Sequence, residues 1–311
     1  MDVYRQLENI PILSDSVVTM GTFDGCHRGH QEIIKKMISV AGSRGIKSVL
    51  ITFSPHPRHV LESGKKLPLL MHTNKKLEIL DSCHVDIVVV IPFDIQFSQL
   101  TADNFINNIV VKNFNPSYIV VGYNHHFGFQ REGSPQFIKD YGDKNGVNVD
   151  IIDPISDENV TISSTHIRLL IREGYVRRAS FELGWVFGFE ATVIRGAGRG
   201  KGLGFPTANF IPVEKFQLIP ASGVYCIRGR INGNYLYGMC NLGVRPTFKD
   251  TDFVMEVHFI DQDPGDLYGK KITVEFLERI RDEQKFSDSH NLIKQLKKDK
   301  LFCMRLMRKY N

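Results

Sequence analysis

Four clusters of residues in this chain of 311 residues have the types and spacing to do chemistry. The first is the segment Val17 to Ile34, VVTMGTFDGCHRGHQEII. It reads as a strand, a glycine turn, and a helix opened by His27-Arg28-Gly29-His30. Two histidines at i, i+3 on a helix start stand beside free backbone N–H groups and the positive end of the helix dipole. That arrangement suits the phosphates of a nucleotide. Gly21 and Gly25 let the backbone approach a ligand closely, and Gly29 leaves room for one packed against the helix start. In phosphoryl or nucleotidyl transfer a protein positions groups and stabilises developing charge, and fixed donors do this without a covalent step. The competing reading is a glycine-rich turn with two incidental histidines.

The second cluster is Ile162-Ser163-Ser164-Thr165-His166-Ile167-Arg168, which starts another helix. Small hydroxyls at a helix start are ordinary caps. Followed one turn later by Arg168, they can instead bind phosphate oxygens, with the guanidinium neutralising charge on a leaving pyrophosphate. The third cluster runs from Arg195 to Asn209, RGAGRGKGLGFPTAN. It is not a P-loop, because Gly202 follows Lys201 where Ser or Thr is required. In Pro206-Thr207-Ala208-Asn209 a rigid turn displays a hydroxyl and an amide, groups suited to holding Mg²⁺ and phosphate. The fourth is Glu256, an acid in an otherwise apolar strand-like segment. A carboxylate there is costly unless it is paired or working, or the position faces solvent.

The elements that position these clusters fall into two kinds. Val17–Met20, Lys47–Phe53, Val85–Ile91, Tyr118–Val121 and Val147–Ile152 read as strands. They alternate with helical segments near Gly29–Arg44, Thr73–Ser82 (Thr73 as N-cap), Thr101–Asn113 and Pro135–Lys144. Alternation of apolar strands with helices predicts a Rossmann-like α/β domain: a parallel sheet covered on both faces, its ligands held beyond the carboxyl ends of the strands. From about Gly184 the pattern changes to successive strands: Trp185–Val193, Gly223–Ile231, Tyr235–Leu242, Val254–Ile260 and Lys271–Ile280. Turns such as Asn232-Gly233-Asn234 separate them, which predicts a small antiparallel β-barrel. A last helix, Ser287 to Lys309, carries Leu292, Leu296, Cys303 and Met307 on one stripe. The expected domains are 1–182 and 183–311.

Composition narrows the class. A chain 42% hydrophobic and 23% charged folds into globular cores. The longest apolar run, Ile87–Ile91, is far short of the ~20 residues that span a bilayer, and the N-terminal segment lacks a basic-then-apolar signal pattern. A cytoplasmic protein without membrane partners is expected. Five cysteines with no CxxC spacing disfavour a disulfide framework or zinc ribbon and predict reduced, mostly buried thiols. The pairs His27/His30, His56/His59 and His125/His126 come without HExxH or a cysteine cluster, so a transition-metal site is disfavoured. A net charge of +5 helps collect phosphate-bearing ligands but is no nucleic-acid signature. The basic final helix reads as a solvated face over the barrel, and Trp185, Tyr225 and Phe248 as core.

With these strings in hand, the chain resembles the bacterial bifunctional riboflavin kinase/FAD synthetases (FMN adenylyltransferases). GTFDGCHRGH is similar to their HxGH nucleotidylyltransferase signature, and ISSTHIR to their ISSTxIR motif. Phe53-Ser54-Pro55-His56-Pro57 resembles FxPHP, with Ser54 where Asp is common. Val121 to Gly128 resembles VGxDFRFG, with Asn124 for the usual Asp and His126 for the usual Arg. Asn124 can still hydrogen-bond a ligand; His126 supplies positive charge only when protonated. The barrel half resembles riboflavin kinases through GxxLGxPTAN, then Gly223-Val224-Tyr225, Asn241 to Phe248, Met255-Glu256-Val257-His258 and Leu267-Tyr268-Gly269-Lys270. The resemblance implies phosphorylation of riboflavin to FMN in the barrel and adenylylation of FMN to FAD in the α/β domain, with ATP as co-substrate and Mg²⁺ as cofactor. It implies that Gly21, Phe23, Asp24, Gly25, Asn124, Ser163, Ser164 and Arg168 bind ATP in the α/β domain, where His27 and His30 are catalytic. In the barrel it implies that Gly202, Gly204, Thr207 and Asn209 hold ATP phosphates, with Thr207 on Mg²⁺, Asn209 supporting it, and Glu256 as general base. Riboflavin, FMN, FAD and ATP are the expected partners; oligomeric state is not legible.

Overall fold

The computed structural model describes residues 1–311 apart from 65, 196–200, 232, 247–250, 262–264 and 311. At 201, 244–246 and 251–253 it describes the backbone alone. The expected glycine run Gly196–Gly200, the Asn232 turn position, and Thr247 and Phe248 therefore lie outside the described residues. The chain forms two compact units, Met1–Ser164 and Thr165–Asn311.

The first unit is built on a six-stranded parallel sheet: β1 (Asp2–Tyr4), β2 (Ser16–Met20), β3 (Lys47–Ser54), β4 (Ile87–Pro92), β5 (Pro116–Gly122) and β6 (Asn148–Ile152), ordered β1-β4-β3-β2-β5-β6. β2 is buried at every residue because helices cover both faces of the sheet. From β2 the chain steps outward to β3 and β4, then crosses back to place β5 on the other side of β2. The order reverses between β2 and β5, and at such a switch point a crevice opens beyond the carboxyl ends of the strands. The loops that follow Met20 and Gly122 begin there.

Helix α1 (Arg28–Arg44) follows β2 and buries Ile34, Met37 and Ala41, one stripe at helical spacing. It ends at Gly45, whose left-handed φ of +67° lets its N–H close on the Ala41 carbonyl. A short helix α2 (Pro57–Leu61) and then α3 (Thr73–Ser82) follow β3. His72, not Thr73, is the N-cap residue of α3, and the Thr73 hydroxyl instead lies 3.4 Å from that of Ser54. The expected helix after Thr101 forms with Thr101 as its cap, but its turns widen to π geometry over Ile106–Val111. Helix Pro135–Asn145 precedes β6, and a two-strand hairpin, β7 (Ser156–Asp157) and β8 (Val160–Thr161), leads to helix Ser164–Arg172.

The second unit is a closed barrel of β9 (Gly188–Ile194), β10 (Ala208–Pro212), β11 (Gly223–Ile231), β12 (Asn234–Pro246), β13 (Thr251–Phe259) and β14 (Lys271–Arg281). Around the barrel the order is β10-β13-β12-β11-β14-β9, antiparallel throughout. β10 was not among the expected strands; it carries the last residues of the PTAN string into the sheet. Helix Val176–Leu183 packs against β14, and helix Ser289–Met307 lies against the barrel. Cys303 and Leu306 of that last helix are buried beside Tyr237, Met239 and Leu277, with Leu296 and Met307 packed around them. Its stripe is interrupted by a buried acid, Asp299, which pairs with Arg281 at 2.9 Å. Tyr225 is fully buried and Trp185 half-buried.

Candidate active sites

In the first unit the switch-point loop after β2 is tightly wound. Phe23, Gly25 and Cys26 all have left-handed φ values, +46°, +86° and +37°, so the chain coils on itself before entering α1. Asp24 at its apex is buried. His27 is the N-cap residue of α1: its Nδ1 accepts the backbone N–H of His30 at 3.4 Å, which leaves the ring proton on Nε2. The two imidazoles stack, centroids 3.7 Å apart and planes 18° from parallel, and the His30 ring meets Phe23 edge-on at 5.2 Å. Burial holds the pKa of His30 well below the usual histidine value, reinforced by His27 and the cation Lys76. His30 is therefore a neutral donor. Its buried Nδ1 has no hydrogen-bond partner among the described residues.

Gly29 also makes room within the protein itself. A Cβ there would lie 3.2 Å from the His27 ring, so the missing side chain gives space to the imidazole itself. The second cluster meets the first directly: the Ser164 hydroxyl donates to the Asp24 carbonyl at 2.8 Å, across 140 residues of sequence. Ser163 is half-buried just before helix Ser164–Arg172, and Arg168 is buried one turn along it. In the loop after β5, Asn124 and His126 are exposed. His125 stacks on Phe127 with centroids 5.4 Å apart, and burial takes its pKa down to about 4. His56 caps α2 by accepting the Arg58 N–H at 3.2 Å.

The barrel assembles the other two clusters. In the β10–β13 ladder Asn209 stands opposite Glu256, and in the β13–β12 ladder Glu256 stands opposite Asn241. Opposite residues share a face, so an amide, a carboxylate and a second amide form one polar row. Met255 and Val257, which flank Glu256, are buried, while Glu256, Asn209 and Asn241 are half-buried. Two residues on from Glu256, His258 holds the Pro206 carbonyl at 2.8 Å through Nδ1 and meets Phe205 edge-on at 5.1 Å. The turn before Thr207 is thus anchored to the strand that carries Glu256. Gly202 and Gly204 are exposed, and Gly204 takes φ +78°, a conformation that favours glycine. Thr207 and Asn209 offer a hydroxyl and an amide oxygen. This set of hard oxygen donors fits Mg²⁺ carried on nucleotide phosphates better than any softer metal.

Sequence reasoning assigned no role to His258 or Asn241, although both lie in strings it singled out, nor to Lys76. The i, i+2 spacing in one strand would have flagged His258 as facing with Glu256, whereas Asn241 joins that face only through the β12–β13 register.

A parallel sheet with a histidine-opened helix at its switch point, followed by a barrel with a Thr-Asn-Glu polar site, defines a nucleotide-using transferase of two modules. The FAD synthetase family model matches residues 9–166, and the riboflavin kinase model matches residues 183–307. A bifunctional riboflavin kinase/FMN adenylyltransferase of Listeria monocytogenes is 36% identical over 287 residues, 92% of this chain and 90% of the relative. The enzymes of that name from Buchnera aphidicola (Acyrthosiphon pisum) and Escherichia coli K12 are each 33% identical, covering 98% and 92% of this chain and 98% and 90% of their own lengths. A crystal structure from Streptococcus pneumoniae, described as a macrolide-efflux protein, superposes with a TM-score of 0.89 at 32% identity, over 97% of this chain and 98% of that one. The chain belongs to the bifunctional riboflavin kinase/FMN adenylyltransferase family.

Proposed function

We propose that the chain makes FAD from riboflavin in two ATP-dependent steps, each at its own site. It is a riboflavin kinase and an FMN adenylyltransferase. The observation that carries this reading is the coexistence of two built sites: the stacked His27/His30 pair at a sheet switch point, and the Asn209–Glu256 row beside an anchored Thr207 turn.

In the barrel, the Glu256 carboxylate takes the proton of the ribityl 5′-hydroxyl as that oxygen attacks the γ-phosphorus of ATP. The bond from the γ-phosphorus to the β,γ-bridging oxygen breaks, and ADP leaves. Thr207 and Asn209 would hold Mg²⁺ with the nucleotide, where the ion supplies charge neutralisation on the phosphates. In the α/β domain, a phosphate oxygen of FMN attacks the α-phosphorus of a second ATP, and the bond to the departing pyrophosphate breaks. His27 donates through Nε2–H and His30 through its own N–H to the α-phosphoryl oxygens, where negative charge builds. Both act as neutral donors, so no proton need leave them during the step. Gly21, Phe23, Asp24 and Gly25 shape the pocket; Asn124 contributes a hydrogen bond, and Ser163, Ser164 and Arg168 grip the pyrophosphate. Adenylyl transfer is assigned to residues 1–182 and riboflavin phosphorylation to residues 183–311.

An efflux role, as in the description of the S. pneumoniae structure, is not adopted, because both family models assign flavin chemistry to the chain. Among the described residues no helix is long and apolar enough to cross a membrane. A cytoplasmic location suits the supply of ATP and the five free cysteines. Incubating the protein with riboflavin, ATP and Mg²⁺ and separating the flavins over time tests the reading. FMN appears first and gives way to FAD; FMN that only accumulates would remove the adenylyltransferase, and no new flavin would remove both activities.

A further inference from the structure

Lys76 lies on α3, a helix that carries none of the signature strings, yet it is 7% exposed. Its ammonium donates to the Thr22 carbonyl at 2.6 Å and to the Thr52 hydroxyl at 3.0 Å, and that hydroxyl donates onward to the same carbonyl at 3.2 Å. Thr22 belongs to the coiled loop that ends at His27, and Thr52 to β3, the neighbour of β2. The three groups close a triangle behind the loop. Asp24, Cys26 and His30 all lie within electrostatic reach of the ammonium. The buried Asp24 carboxylate favours the charged form of this lysine, but burial outweighs it and lowers the ammonium's pKa. An anion bound at the loop would add to that compensation. That loop is where the triphosphate of ATP is read to bind, and His30 beside it is held neutral by burial, so it brings a donor rather than net charge.

We propose that Lys76 is a positioning residue of the adenylyl-transfer site, fixing the Thr22 carbonyl so that the loop before His27 keeps its shape and lending positive charge to the ATP phosphates from beneath that loop. This rests on the reading of that loop as the adenylyltransferase site. Two effects are separable. The hydrogen bonds set the loop, which any side chain able to replace the donors preserves in part. The charge acts through the loop and strengthens as negative charge builds on the α-phosphoryl group and the departing pyrophosphate, so its loss falls on turnover more than on ATP affinity.

The test uses full-length wild type, K76M and K76A, with FAD formation from supplied FMN and FMN formation from riboflavin measured on the same preparations. Methionine keeps the buried volume and removes the charge. Expected for K76M is a fall in kcat for FAD formation on the order of 100-fold. KM for ATP in that reaction should change only a few-fold, with riboflavin phosphorylation kept. Propylammonium, which matches the atoms that K76A removes, should restore FAD formation, and propanol, of the same size and uncharged, should not. Wild-type-like FAD formation in K76M overturns the proposal. So does an equal loss of both activities, which marks a merely structural lysine, and so does rescue by propanol as effective as rescue by the amine. Wild type that turns no FMN into FAD sinks the adenylyltransferase reading itself, and Lys76 with it; an active wild type with an active K76M sinks only Lys76.

Discussion

His258→Ala tests whether the turn that presents Thr207 is held in place by the strand that carries Glu256. The substitution removes one hydrogen bond, to the Pro206 carbonyl at 2.8 Å, and one edge-on ring contact, to Phe205 at 5.1 Å. A neutral hydrogen bond contributes about 1 kcal/mol net, and an aromatic pair in this arrangement about 0.5–1.5 kcal/mol beyond its buried area. Together they hold the turn by about 2 kcal/mol. At 1.4 kcal/mol per tenfold, freeing the turn should raise KM for ATP in riboflavin phosphorylation by about 20- to 30-fold. The proton on Nδ1 makes the bond, and burial keeps His258 below the usual histidine pKa, so the neutral ring is the working form. Asparagine places a donor close to where Nδ1 now sits, so His258→Asn should recover part of the loss while lacking the ring contact. The assay is initial-rate FMN formation at varied ATP with saturating riboflavin, with FAD formation from FMN as the control for folding. A KM for ATP within twofold of wild type in His258→Ala would refute the idea that this contact positions the Thr207 turn.

The division of labour predicts reciprocal losses. Glu256→Gln should cut FMN formation by about 10²- to 10⁴-fold and spare FAD formation from supplied FMN, whereas His30→Ala should cut FAD formation by about 10²- to 10³-fold and spare the kinase; separate assays on each variant decide. Stability should fall in acid through His125. Between about 6.5 and about 4 the unfolded chain holds a proton on this ring and the folded chain does not, so stability is present above 6.5 and is lost as pH falls through that window. His125→Phe should flatten the slope of unfolding free energy against pH by about 1.4 kcal/mol per unit, measured by urea denaturation. Asp299→Ala leaves the Arg281 guanidinium without its buried partner, and should destabilise the barrel by about 3–5 kcal/mol, visible as a drop of roughly 10 °C in calorimetry.

What the sequence disclosed followed from periodicity and from strings with local meaning. The central strands were legible because β-branched, wholly apolar runs belong in a covered parallel sheet, and β11 was expected over the residues it occupies. The histidine pair was legible because its two members stand within one turn of a helix start. Features that depend on distant partners were not. β10 hid inside a string that reads as a turn, and it becomes a strand only because β9 and β13 offer it two edges. β1, three residues long and partly charged, exists by pairing with β4. Lys76 on an amphipathic helix reads as solvated, and its burial appears only when β3 and the Thr22 loop are brought over it. Asp299, similarly, looks like one more exposed charge of a basic helix until Arg281 meets it.

On the kinase role proposed for Glu256, the polar row Asn209–Glu256–Asn241 makes strand alignment itself a condition for turnover. β13 is hydrogen-bonded on both sides, to β10 and to β12, within a closed barrel. A slip of one residue along either ladder would put Met255 or Val257 opposite that ladder's asparagine, and a slip of β13 along both would bury Glu256 and His258 where those apolar side chains now sit. Because closure couples all six ladders, no single strand can make that slip alone. The barrel thus acts as a frame lock: a chemical group needing sub-ångström placement is held by the reading frame of a sheet. A one-residue insertion or deletion within β13 should then erase kinase activity even at a distance from Glu256.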